Sequence, residues 1–341
     1  MKILIIKPSS LGDVVQAMPV LRLLRRRYPD ALISWWVAEN LTALLDDDPD
    51  LDEVIPFERS KGFSLSGILR WWGSIIRIRE QRYDLVIDLQ GLLRSGSFAW
   101  LAGGARSVGL DLRREGAQMF YDVAVPRPAD RPHAVDWYLD VAEELGLGSA
   151  SSFDWIPKRA SAAASVARMN SANAKRLVAL VPGARWDNKR WPAEHFADVV
   201  GGISERHADV QFAVVGGAGD SGLAREIQRN TQTSVIDLTG QTSIPEMMEW
   251  LRVSHLVVTN DTGPMHIAAA LGRPVVGVFG PTDPAQTGPY GDRVTILSSD
   301  LRCAPCLKST CHWKVNMECL HSIKARDVVA ASDQWLSRGV S

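Results

Sequence analysis

The chain has 341 residues, 46% apolar and 23% charged, a composition that suits a globular protein of two domains with separate cores. Its 38 basic and 39 acidic side chains nearly cancel, and they balance within each half too, with 20 against 22 over residues 1–160. That balance excludes bulk attraction to nucleic acid, and no apolar run approaches the roughly 20 residues of a membrane-spanning helix.

Residues 2–7 (KILIIK) read as a strand, residues 8–13 (PSSLGD) as the loop after it, and Val14 to Tyr28 as a helix with apolar residues close to helical spacing. Asp13 stands at or beside the N-cap, either as a capping carboxylate or as a general base at the carboxyl end of the first strand, where open α/β sheets place their chemistry. Arg25, Arg26 and Arg27 read as a solvated helix face. Ile3 to Ile6 is too short for the core of a secretory signal, so a cytoplasmic location is expected. Twelve tryptophans are many, and Trp35–Trp36 and Trp71–Trp72 come in pairs. Core packing accounts for most, while an exposed few would suit a membrane interface.

Leu32 to Val37 is the second strand and Glu53 to Pro56 a short third. The run Asp46-Asp47-Asp48-Pro49-Asp50 between them reads as a solvated turn with no metal assigned. Residues 59–70 (RSKGFSLSGILR) form a basic loop leading into a helix, either closing over an anionic ligand or serving as a mobile connection. Asp84 to Asp88 is the next strand, which puts Gln90 and Arg94 at a second strand tip on the same side as Asp13. A helix is expected over 133–145, and the Ser/Ala-rich stretch 146–171 reads as the interdomain link.

The second half restarts with a strand at Leu177 to Val181, then a loop holding Arg185, Lys189 and Arg190 that suits oxyanions, then a helix from Ala193. Gly217, Gly219 and Gly222, with Asp237 20 residues beyond Gly217, match a dinucleotide fingerprint. The match is weak, because it follows the second strand of this half and the fingerprint belongs on a first strand. Residues 256–278 (LVVTNDTGPMHIAAALGRPVVGV) read as strand, loop, helix and strand, with Asp261, Thr262, Gly263 and His266 gathered at a helix start that favours a phosphate. Cys303, Cys306, Cys311 and Cys319 are spaced x2, x4, x7 with His312 among them. A structural zinc on these thiolates, reduced thiols or two redox-labile disulfides all remain open.

Five segments resemble one family together: KPSSLGDVVQAMPVL (7–21), DLQGLLRS (88–95), PGARWDNKRWP (182–192), NDTGPMHIAAAL (260–271) and FGPTDP (279–284). They are similar to the ADP-heptose–lipopolysaccharide heptosyltransferases of glycosyltransferase family 9, with core motifs nearest the first heptosyltransferase type. The resemblance implies a GT-B architecture, with two Rossmann-like α/β domains facing each other across a cleft. The expected divisions are an acceptor-binding domain over 1–165, a nucleotide-sugar-binding domain over 166–325, and a C-terminal helix over 326–341 able to pack back on the first domain.

The implied reaction moves L-glycero-D-manno-heptose from ADP-heptose to the lipid A–Kdo or inner-core region of lipopolysaccharide. It inverts the anomeric centre and requires no metal or other cofactor. Asp13 matches the family's catalytic aspartate. Lys189, Asp261, Thr262, Gly263 and His266 match donor positions, as do Ala184 and Arg185, which stand where other members carry two threonines. Asp220 and Thr242 fall near two more donor contacts. Ser10, Arg59, Lys61, Gln90 and Arg94 are candidates for the acceptor's phosphates or carboxylates. A peripheral contact with the inner face of the inner membrane is expected, and no nucleic-acid partner. Another GT-B sugar transfer, a sugar-nucleotide epimerase or a nicotinamide oxidoreductase are the rival activities.

Overall fold

Ile3 to Ile6 of the first strand carry no polar side chain and are wholly shielded from solvent, as expected of a parallel strand covered by helices on both faces. A computed structural model describes residues 1–57, 65–113, 115–149, 155–170 and 176–338, with backbone alone at 65–72. The chain divides into two compact units, Met1–Pro157 and Lys158–Ser341. Arg59 and Lys61 lie outside the described residues.

The first unit holds a parallel sheet of β1 (Lys2–Ile6), β2 (Leu32–Ala38), β3 (Glu53–Phe57), β4 (Leu85–Asp88), β5 (Arg106–Asp111) and β6 (Val123–Pro126), in the order β3-β2-β1-β4-β5-β6. The helices are α1 (Leu11–Arg27), α2 (Thr42–Leu45), α3 (Leu65–Glu80), α4 (Leu93–Ala102) and α5 (Ala134–Glu144). This is a doubly wound fold whose order reverses between β1 and β4, so the crevice for a ligand opens at those two strand tips. Helix α1 starts earlier than apolar spacing predicts, because the Asp13 carboxylate reaches back to accept the Ser10 backbone N–H and hydroxyl at the helix start. It also continues through Pro19, a residue that removes one helical donor.

Core packing is met at the first tryptophan pair, and two surface expectations are corrected. Trp35 and Trp36 belong to β2 and are buried, with Trp36 stacked on Phe98 at 4.1 Å, so neither faces a membrane. Asp48 is buried rather than solvated, paired at both oxygens with the Arg22 guanidinium at 2.5 and 2.6 Å. Arg25 is tied to Asp52 and to the carbonyls of Pro29, Ala31 and Asp50, so it is no solvated face.

The second unit repeats the plan: β7 (Arg176–Val181), β8 (Val210–Val214), β9 (Val235–Asp237), β10 (Leu256–Asn260), β11 (Val275–Phe279) and β12 (Val294–Ser298). All pair in parallel, in the order β9-β8-β7-β10-β11-β12, so the reversal falls between β7 and β10. The helices are α6 (Ala160–Asn170), α7 (Ala193–Ser204), α8 (Ser221–Arg229), α9 (Ile244–Val253), α10 (Gly263–Ala270), α11 (Pro284–Thr287), α12 (Glu318–His321) and α13 (Ala325–Ser337). Trp191, Phe196, Phe212, Val258 and Val276 pack into one core under α7 and α13, each fully buried aliphatic or aromatic side chain contributing about 1.5–3 kcal/mol.

Part of the expected link is therefore structured: α6 packs on α9 and belongs to the second unit. The closing helix α13 also belongs there. It lies against α7, accepts from Arg176 at the Leu336 carbonyl (2.7 Å), and holds His207 through Asp333 (2.7 Å).

Candidate active site

In the first unit the loop after β1 turns directly into α1. The Asp13 carboxylate accepts from the Ser10 backbone N–H at 2.8 Å and from its hydroxyl at 2.5 Å, both at Oδ2. The cap therefore aims the carboxylate, and the two sequence readings of Asp13 are compatible: one group caps the helix and stands half-exposed at the strand tip. At the neighbouring tip Asp88 is fully buried at the end of β4. It accepts from the backbone N–H groups of Gln90 and Gly91 and from the Tyr121 hydroxyl at 2.6 Å. Burial pushes its carboxyl above the ordinary carboxylate range, while Tyr121, Ser95 and the two N–H groups pull it back. Gln90 is thus held by its backbone, and Arg94 lies exposed in the first turn of α4.

In the second unit the loop from Pro182 to Trp191 is fastened to the tip of β10 by one side chain. Asn260 donates to the Pro182 carbonyl at 2.7 Å and accepts the Trp191 backbone N–H at 3.2 Å. The sequence shows Asn260 only as the polar end of its strand; in the structure its clamp spans the sheet's reversal point. Within the loop, Lys189 Nζ meets Asp261 Oδ2 at 2.6 Å and lies 4.7 Å from the Trp186 ring centroid. Thr282 donates to the same Asp261 oxygen at 2.6 Å. Thr282 was missed as a site residue, although its segment was recognised. Arg185 is exposed, and the buried Ala184 contributes its carbonyl to Arg190 Nε. Arg190 also pairs with Asp187 at 2.8 Å, so it braces the loop and does not join Arg185 and Lys189 as an oxyanion ligand.

The glycine loop after β8 is built around Asp220. Its carboxylate accepts the Gly217 N–H at 2.9 Å, and a Cβ on Gly183 or Gly216 would come within 2.5 or 2.8 Å of it. Both positions are glycine because the Asp220 side chain occupies that space. Gly240 rests on the same loop, its N–H bonded to the Gly216 carbonyl, with Thr242 two residues on. Asp237, the acid of the dinucleotide pattern, is taken up by the Thr239 N–H and hydroxyl. Thr262 is the N-cap of α10, Gly263 its first residue, and His266 is buried in that first turn. The structure thus brings together Lys189 and Asp261 with Thr282, and sets Asp220 against the start of the Lys189 loop at Gly183. A cation and a helix start at a sheet's reversal point can hold a diphosphate.

The four cysteines line one pocket with His312, Asn188 and Pro281, all as free thiols. Burial, and to a lesser degree the other three cysteines, push the Cys319 thiol up. Among the described residues no three His, Cys, Asp or Glu side chains converge closely enough to hold a metal ion.

The family model for glycosyltransferase family 9 (heptosyltransferase) matches residues 72–316. The chain belongs to that family. The lipopolysaccharide heptosyltransferase 1 of Pseudomonas aeruginosa is 31% identical over 93% of this chain and 89% of its own length. The lipopolysaccharide heptosyltransferase 2 of Escherichia coli K12 is 28% identical over 87% and 88%. Among solved structures, E. coli heptosyltransferase WaaC with ADP superposes with a TM-score of 0.78 at 25% identity, covering 98% of this chain and 100% of the other. The chain is thus a family 9 glycosyltransferase on the GT-B plan, and the nicotinamide reading falls with the loop that supported it. No helix among the described residues is long and apolar enough to cross a membrane.

Proposed function

We propose that this family 9 member transfers L-glycero-D-manno-heptose from ADP-heptose to the Kdo-bearing inner core of lipopolysaccharide, inverting the anomeric centre. Asp13 is the base, the first unit receives the acceptor and the second binds the donor. The observation that carries the reading is the Asp13 carboxylate fixed at the tip of β1 within a chain whose family match runs over 72–316. Support for the donor comes from the names of the relatives and from the Lys189 ammonium set beside the start of α10.

An inverting displacement needs one proton acceptor on the incoming hydroxyl and charge stabilisation on the departing diphosphate. Asp13 takes the proton as the acceptor oxygen attacks the anomeric carbon. Lys189 and the amides at the start of α10 receive the charge that builds on ADP. The reaction so written draws no charge from a metal, and a zinc on the four cysteines would be structural and enter none of these steps. Ser10, Gln90 and Arg94, with Arg59 and Lys61, are assigned to the acceptor. Ala184, Arg185, Asp220, Thr242, Thr262, Gly263 and His266 are assigned to the donor. Exposed Trp100 and Met119, on α4 and the adjoining turn of the first unit, support a peripheral contact with the cytoplasmic face of the inner membrane that carries the lipid acceptor.

The test is Asp13→Asn assayed with ADP-heptose and Kdo-lipid A. Transfer is expected to fall by at least about a thousandfold, while ADP affinity by calorimetry stays within about twofold. Turnover surviving in Asp13→Asn removes the base from this reading, and release of a nucleotide other than ADP removes the donor.

A further inference from the structure

Lys7 follows the last residue of β1 and is only 3% exposed, an unusual place for an ammonium. Its Nζ donates to the Leu89 carbonyl at 2.9 Å and stands 5.0 Å from the Tyr138 ring centroid. Leu89 follows β4, so this one side chain ties together the two strand tips between which the sheet order reverses. Burial pushes the ammonium's pKa down, but Tyr138, Asp13 and Asp88 more than offset it, so it stands above the ordinary lysine value. A solvent-excluded cation that stays charged must be balanced by anions, and here the carboxylates within reach are Asp13 and Asp88.

Asp88 is already provided for by Tyr121, Ser95 and two backbone N–H groups. Asp13 is the partner left facing substrate. Buried as it is, Lys7 has no surface to offer an acceptor phosphate or carboxylate. We propose that Lys7 is a positioning residue for sugar transfer, a buried ammonium bridging the central strand tips that fixes the Asp13 carboxylate as an anion ready to take the acceptor's proton. The inference rests on Asp13 being the base and deepens that reading. The charged and titratable groups acting on Lys7 and its neighbours include Tyr138 on α5 (itself under the field of Arg127 after β6), Asp88 at β4 and, bonded to Asp88, Tyr121. Among these groups Lys7 is the buried cation whose field reaches Asp13 and Asp88.

Lys7→Met keeps the length and apolar body of the side chain and removes the charge. An opposite charge favours the ionised form of a nearby carboxyl, and its removal should move the acid limb of the kcat profile up in pH by about one unit in Lys7→Met. Turnover at neutral pH is expected to fall by about ten- to a hundredfold, with KM for the donor unchanged and ADP affinity intact as the check on folding. Lys7→Arg, which retains the charge, should keep the limb near its original position. Where Lys7→Met turns over too slowly for a profile, the Asp13 carboxyl is titrated directly by carbon-13 NMR, assigned against Asp13→Asn. An acid limb or carboxyl that does not move in the folded Lys7→Met protein overturns the inference. Activity retained in Asp13→Asn overturns instead the reading on which it rests, so the two failures are told apart.

Discussion

The Lys189–Asp261 contact allows a quantitative test by a double-mutant cycle. The two side chains are 17% and 7% exposed and meet at 2.6 Å, with Thr282 sharing the carboxylate. Breaking a fully buried ion pair from one side costs about 3–5 kcal/mol, and a hydrogen bond to a charged group contributes about 1.5–3. Lys189 keeps some solvent, so Asp261→Ala should destabilise the second unit by about 2–3 kcal/mol. It leaves an uncompensated ammonium and an orphaned Thr282 hydroxyl. Lys189→Met should cost about 1–2 kcal/mol, part of it the contact with the Trp186 ring. The double mutant removes both charges and should lose about 2–3 kcal/mol in all, leaving a coupling of about 1–2 kcal/mol.

Urea unfolding followed by tryptophan emission measures each corner of the cycle, and an unchanged dependence on urea keeps the comparison valid. Calorimetry with ADP supplies the functional arm: Lys189→Met and the double mutant should both bind at least about tenfold more weakly. Costs that add to within about 0.5 kcal/mol would refute the claim that the two groups stabilise one another.

Tyr121→Phe removes a donor from the buried Asp88. About 1.5–3 kcal/mol of stability should be lost at a pH above the raised Asp88 value, where its carboxyl is ionised. Burial leaves the folded-state pKa of Asp88 above the unfolded value and loss of the Tyr121 bond raises it further, so the difference between mutant and parent should shrink as pH falls through these raised folded-state values and Asp88 becomes protonated in both. A pH-independent difference in urea midpoints would show that the bond is not to an anion. Gly183→Ala places a Cβ 2.5 Å from the Asp220 carboxyl, which must move away from the Gly217 amide. The expected cost is about 1–3 kcal/mol together with weaker ADP binding, and unchanged calorimetry would detach this loop from the donor.

The fold was readable because its signals are local and redundant. The central strands β1, β10 and β11 are apolar runs followed within two residues by Pro, Asp or Gly, and the second half repeats the pattern of the first, whereas the outer strands β5, β6 and β12 carry too weak a pattern to be read. The cap at Ser10 and Asp13 and the helix start at Thr262 could be read for the same reason, since a cap is written in four consecutive residues. Contacts between segments distant in sequence were not readable. Asp48 looked like part of a solvated acidic turn because its partner, Arg22, lies 26 residues earlier on another element. Asn260 and Thr282 showed their polar character but not their partners, which are 78 and 21 residues away. Arg190 looked like an anion ligand because spacing cannot reveal that its guanidinium turns back on Ala184 and Asp187. Lys7 went unnoticed because a lysine ending a strand is ordinarily at the surface. Helix α6 hid inside a Ser/Ala-rich passage whose weak apolar stripe resembles a linker, and its partner α9 is some 80 residues on.

The Asn260 clamp has a bearing on how donor preference could be altered. Because a single amide pins both Pro182 and Trp191, the segment between them is a span with fixed abutments. Substitutions in its middle leave both of those anchors in place. Ala184 and Arg185 stand in that middle, one lending only its carbonyl and the other only its exposed guanidinium. Exchanging those two side chains is therefore a way to retune which nucleotide-sugar is accepted while the load-carrying amide, and the lysine it sets in place, stay as they are.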